Sequence, residues 1–224
     1  MDNIIVLSFI YLIGIALLLA FNELNYRRLK IKGEITRKFA HFSATLATVP
    51  FPYIFPSHWY VLVLAFLFFI ALILTKHGTQ LKSIHGIKRK SMGSYLLPLS
   101  IYVTFLIASL LENKFFYILP ILILAVCDPM AAILGVNITK FNGRIKIGKR
   151  RIDKTWLGTA AFFSTSLIIT LIALYFQREV FDLKTFWLGL LVAFASTFGE
   201  LISWRGSDNL SIPLSVILVL MFFL

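Results

Sequence analysis

The chain has 224 residues, 59% of them apolar, and a formal net charge of +12. A mean hydropathy of +0.87 lies far above what a soluble domain sustains, so the composition excludes a soluble globular protein. One cysteine, Cys127, excludes an internal disulfide and a cysteine-built metal cluster.

Eight hydrophobic segments follow in chain order, at 4–21, 39–55, 59–74, 95–111, 115–134, 156–176, 186–204 and 210–224. Most approach the roughly 20 residues that cross a bilayer as a helix, and the last is short. The expected fold is an all-α polytopic integral membrane helix bundle of about eight transmembrane helices, one domain over residues 1–224. The first segment follows Asp2-Asn3 with no basic leader or small-residue cleavage site, so it reads as a retained helix. Pro50, Pro52 and Pro56 predict a second helix distorted toward its far end.

Charge sorts by loop parity. Stretches 22–38, 75–94 and 136–155, together with Arg205, hold all but three of the 22 lysines and arginines; the alternate loops hold only Lys114, Arg178 and Lys184. This asymmetry predicts that the basic loops are cytoplasmic and that the N-terminus and C-terminus lie outside; the expected location is the cell's inner (plasma) membrane. Topology and anionic headgroups absorb the positive charge, so no nucleic-acid partner is implied.

The fifth segment ends in Cys127-Asp128-Pro129-Met130-Ala131-Ala132-Ile133-Leu134-Gly135. An unpaired carboxylate at membrane depth costs at least a few kcal/mol, so Asp128 needs a metal, a basic partner or a substrate group. Its plainer role is a cap on a helix that breaks and restarts at Pro129. The loop 136–155 alternates around Arg144-Ile145-Lys146-Ile147 between Gly143 and Gly148, which predicts a small hairpin or clamp whose seven cations suit a polyphosphate.

Further polar groups join Asp128 on the expected cytoplasmic side. Arg37 and His41, with Lys38 between them, open the second segment, and their i, i+4 spacing puts Arg37 and His41 on one helix face. Lys149, Arg150, Arg151 and Lys154 precede Thr155-Trp156-Leu157-Gly158-Thr159, where a point charge, a hydroxyl and helix N-terminal N–H groups suit phosphate. Glu200 lies in an otherwise apolar helix and could pair with Arg205, whereas Asp208 or Ser211 could simply cap the eighth segment. Metal-bound acids, phosphate-binding cations and a positioned hydroxyl are the parts that phosphoryl transfer needs. Asp128, Glu200 and Asp208 are the candidate catalytic acids, with Asp128 and Glu200 as metal ligands.

At these residues the chain resembles the polyprenol kinase family, which includes dolichol kinase, phytol kinase and CTP-dependent diacylglycerol kinase. The matching elements, in family order, are Arg37-Lys38-x-x-His41, Asp128-x-x-Ala131-x-x-x-Gly135, Lys154-Thr155-Trp156-x-Gly158-Thr159, Glu200, and Asp208-Asn209-Leu210-Ser211-Ile212-Pro213. The resemblance implies transfer of the terminal phosphate of CTP to a membrane lipid alcohol with Mg2+ or another divalent cation. On that reading Lys149, Arg151, Lys154, Thr155, Gly158, Gly135 and Asn209 bind the nucleotide, and Arg37, Lys38 and His41 bind the lipid substrate. It also implies distant similarity to phosphatidate cytidylyltransferases. The pattern departs from relatives at Pro129, where many carry glycine or threonine, and at Leu157, where an acid is often found. CDP-lipid synthesis is the alternative activity, and a small ion- or proton-coupled transporter the alternative from another class, though no repeated halves are present.

Overall fold

A computed structural model describes residues 2–29, 33–76, 92–138, 143–147 and 150–224. Helices α1 (Asp2–Leu29), α2 (Gly33–Thr48), a short α3 (Phe51–Ile54), α4 (His58–Lys76), α5 (Gly93–Leu110) and α6 (Phe115–Asn137) come first. Strands β1 (Arg144–Ile147) and β2 (Arg150–Thr155) follow, then α7 (Trp156–Arg178), α8 (Leu183–Ile202) and α9 (Asp208–Phe223). The fold is the expected all-α membrane bundle. Six of the described helices, α1 and α4 to α8, are long and apolar enough to cross a membrane. Helices α2 and α9, 16 residues each, are shorter.

Helix α6 is the centre. It packs against α2, α5, α7 and α9, and its Tyr117, Leu119, Ile121, Ile123 and Leu124 are fully buried. A helix enclosed by others can be apolar on every face. The outer helices instead turn large side chains such as Phe66, Ile172 and Phe194 outward, as lipid-facing surfaces do.

Two elements differ from the hydropathy reading. Helix α2 starts at Gly33, six residues before the apolar run, because its first turns are amphipathic and escape a hydropathy scan. It ends at Thr48, and the chain re-forms as α3 with Pro52 in its first turn, which realises the expected proline distortion. Helix α6, by contrast, does not break: Pro129 lies inside it. The expected restart at Asp128 is therefore absent, and the helix tolerates the lost backbone bond within the packed bundle.

The expected hairpin is present. Strands β1 and β2 pair antiparallel, with Arg144 opposite Thr155 and Ile147 opposite Arg150, and an irregularity between Arg144 and Lys146. The Trp156 N–H donates to the Gly143 carbonyl at 3.2 Å, tying the hairpin base to the start of α7.

Candidate functional site

The starts of α2, α5, α7 and α9 and the ends of α1, α4, α6 and α8 share one end of the bundle. A cleft opens among them, its polar wall formed by Arg37, Lys38, His41, Asp128, Asp208 and Asn209. Asp128 lies nine residues before the end of α6 at Asn137, so about 13 Å from that end. The carboxylate thus sits at depth, where a partner is obligatory.

Lysine 38 is that partner. Its Nζ donates to Asp128 Oδ2 at 2.6 Å, and both side chains are under one-tenth exposed. His41 Nε2 lies 3.6 Å from the same oxygen and 3.4 Å from the Leu124 carbonyl. Lys38 and His41, at i and i+3, therefore reach one anion together, where the sequence reading paired Arg37 with His41; Arg37 lines the cleft beside them. Asp128 Oδ1 takes no hydrogen bond among the described residues.

A second buried cluster is built around Lys154. Its Nζ donates to Glu200 Oε1 at 2.5 Å and stands 3.7 Å from Asp208 Oδ2. Burial pulls the ammonium pKa down, but Glu200, Asp208 and, more weakly, Asp128 outweigh it and hold the pKa above the usual lysine value. Lys154 is therefore a fixed cation and no base. Glu200 is 4% exposed, and its Oε2 has no hydrogen-bond partner among the described residues. Glu200 pairs with Lys154, not with Arg205, whose guanidinium stacks on Trp204 at 4.3 Å.

The chain between α8 and α9 carries Asp208 and Asn209 to the cleft. Arg205 (φ 52°) and Gly206 (φ 96°) are both left-handed there, and the Met92 N–H donates to the Arg205 carbonyl at 2.8 Å. Asn209 Nδ2 donates to the Gly93 carbonyl at 2.6 Å, locking α9 to the start of α5. The N-cap position of α9 is Ser207, so neither Asp208 nor Ser211 holds it. Ser211 Oγ instead donates to the Gly199 carbonyl at 2.8 Å, across the α8–α9 contact.

Thr155 is the N-cap of α7, its hydroxyl accepting from the Gly158 N–H at 3.2 Å. Gly135 and Gly158 face each other across α6 and α7. A Cβ on Gly135 would come within 2.7 Å of Thr155 Oγ1, and one on Gly158 within 2.9 Å of the Ala131 carbonyl oxygen. These glycines let two helices cross closely, the usual use of small residues in membranes.

The structure brings Arg37, Lys38, His41, Asp128, Asp208 and Asn209 onto the cleft wall and sets Lys154 and Glu200 behind Asp208. Lys149 lies outside the described residues, as does the side chain of Arg151. Among the described residues, no group of three or more His, Cys, Asp or Glu side chains is arranged to hold a metal ion. The sequence reading missed Gly93 and Ser94 at the start of α5, and Leu19, Phe68 and Leu72 from α1 and α4. Only the helix-opening Gly93-Ser94 pair offered a signal; the three apolar residues are indistinguishable from lipid-facing ones.

An all-α membrane bundle with acids and cations converging on a cleft at one end has the form of an integral membrane enzyme. The cytidylyltransferase family profile matches residues 3–204, and the chain belongs to that family. Membership makes it a membrane enzyme that uses a nucleotide in lipid chemistry, and ties it to cytidylyltransferases rather than to polyprenol kinases in particular. No curated protein and no solved structure matches the chain.

Proposed function

We propose that the protein transfers the terminal phosphate of CTP to the hydroxyl of a membrane lipid alcohol, at the cytoplasmic face. The observation that carries this reading is the balance of charge in the cleft: Asp128 and Asp208 share its wall with Arg37, Lys38 and His41. An uncharged alcohol suits such a site, because it adds no anion to the nucleotide's phosphates and must pass a proton to a nearby carboxylate. A phosphatidate acceptor would add a further phosphate monoester beside two acids.

In this reading the alcohol oxygen forms a bond to the terminal phosphorus of CTP, the bond from that phosphorus to the bridging oxygen breaks, and CDP leaves. Asp128, whose Oδ2 is fixed by Lys38 and whose Oδ1 is left for the cleft, orients the hydroxyl and takes its proton. Lys154, the basic hairpin with Lys149 and Arg151, and the backbone at Thr155 form the nucleotide side, where a helix N-terminus favours an anion. Lys154 and Glu200 together position Asp208.

The donor set fits a divalent ion that arrives on the nucleotide, since Mg2+ usually binds one or two carboxylates plus substrate phosphates instead of an all-protein cage. Asp208 is its best ligand, with Asp128 across the cleft; Glu200 gives Oε1 to Lys154 and keeps Oε2 unpaired among the described residues. When bound, the ion would screen the phosphate charge. CTP as donor is supported by the family, whose description names cytidylyl transfer.

The same description favours a second reading, CDP-lipid synthesis from a phosphatidate. Product analysis separates the two. Release of CDP with an alcohol acceptor supports the kinase, whereas release of pyrophosphate with phosphatidate refutes it in favour of the second reading.

A further inference from the structure

The cleft has a second half that phosphate chemistry does not use. Beside the polar wall its lining is apolar: Ala40 and Ala44 of α2, Leu97 of α5, Leu19 of α1, and Phe68 and Leu72 of α4. Ala44 stands one turn past His41 on the same face of α2, so apolar lining begins beside the group that faces Asp128. Ala40 and Ala44 are buried and have the smallest side chains in this half, so they set its width.

The walls of this apolar half are not equally closed. Helices α2, α5 and α9 each pack on α6, but α1 packs along α2 and barely touches α4. Leu19 and Asn22 are the only described residues of α1 that are buried. The seam between α1 and α4 is therefore where the cleft meets the bilayer with least packing to disturb.

We infer that this apolar half is a lateral channel that receives the hydroxyl-proximal carbons of the lipid substrate through the α1–α4 seam, with Ala44 setting the bulk it admits. The inference rests on the lipid-alcohol reading above and adds to it a route and a selecting residue. A lipid hydroxyl that reaches Asp128 from within the membrane must bring its first carbons with it. The apolar lining next to Asp128 is the surface that accepts them without leaving polar groups unpaired.

Two measurements test it on the full chain reconstituted in phosphatidylcholine vesicles. A single-chain primary alcohol carrying a photoreactive diazirine near its hydroxyl is expected to label α1 and α4 around Leu19, Phe68 and Leu72, and to lose that labelling when excess unmodified alcohol is added. Labelling spread over the outer faces of α7 and α8, or labelling that unmodified alcohol does not displace, overturns the channel. Ala44→Leu is expected to raise KM for a branched lipid alcohol about tenfold or more, as one misfitting group in an apolar pocket does, while KM for CTP stays as in wild type. If the wild type phosphorylates the alcohol and Ala44→Leu keeps the wild-type KM for it, the channel fails and the kinase stands. If the wild type transfers no phosphate yet the probe labels Leu19 and Phe68 displaceably, the kinase fails and the channel stands.

Discussion

Asp128 and Lys38 illustrate how a buried ion pair constrains what a mutation reports. Removing one partner of such a pair leaves an uncompensated charge in a low-dielectric interior, at about 3–5 kcal/mol. Asp128→Asn should thus lower thermal stability as well as turnover, and the two losses must be separated. Neutralising both partners as Lys38→Gln/Asp128→Asn should recover most of the melting temperature, because no buried charge remains, while turnover stays at least about a hundredfold down for want of the acid. A double variant with near-normal activity, measured beside its melting temperature, would reduce Asp128 to a structural role.

Lys154 behaves in the same way toward Glu200, and its pKa adds a test. Its folded-state pKa is raised above the unfolded value, so its stabilising contribution is complete below about pH 10 and fades only as pH climbs through the folded value. Lys154→Gln should lower the melting temperature at neutral pH, and Lys154→Gln/Glu200→Gln should recover part of the loss because no unpaired carboxylate remains. Turnover or the KM for CTP in Lys154→Gln should worsen about tenfold or more, through loss of about 1.5–3 kcal/mol of charged hydrogen bonding. A double variant no more stable than Lys154→Gln would mean that Glu200 does not depend on Lys154. The need for a partner at Asp128 was legible in the sequence, since a lone intramembrane acid demands one. Its identity was not: Lys38 lies 90 positions away, and local helical spacing pointed to Arg37 and His41. Glu200 was misread toward Arg205 for the converse reason, because nearness in sequence stood in for a partner that only the approach of Lys154 on β2 to the end of α8 and the start of α9 supplies.

At the scale of elements, the left-handed turn between α8 and α9 does most to place the acids. Gly206, at φ 96°, sits in a conformation that costs an L-residue about 1–2 kcal/mol. Gly206→Ala should lower the melting temperature and also turnover, because Asp208 and Asn209 follow directly and Gly206 itself lines the cleft. Normal kinetics in a folded Gly206→Ala variant would show that the turn does not set the geometry of Asp208. Helix identities were readable from apolar runs nearly throughout, and the 136–155 hairpin from its alternation. The start of α2 at Gly33 and the continuity of α6 through Pro129 were not. An amphipathic first turn looks like loop to a hydropathy scan, and tertiary packing overrides a proline that sequence alone reads as a break.

For the whole molecule, the loops that carry nearly all the basic residues join helices at the end where the cleft opens, so charge and chemistry share a side. The positive-inside rule then predicts that single cysteines at Lys88 and Gly148 react with an impermeant thiol reagent only from the cytoplasm, and those at Asn113 and Asp182 only from outside. Reaction of all four from one side would overturn the topology and move the cleft to an undefined face. Phosphate transfer to a lipid hydroxyl is decided by giving the reconstituted protein CTP labelled at either the alpha or the gamma phosphate, with a lipid alcohol and phosphatidate both present. Gamma label in the alcohol product, with no alpha label in lipid, is the predicted result; alpha label in a lipid derived from phosphatidate would contradict it.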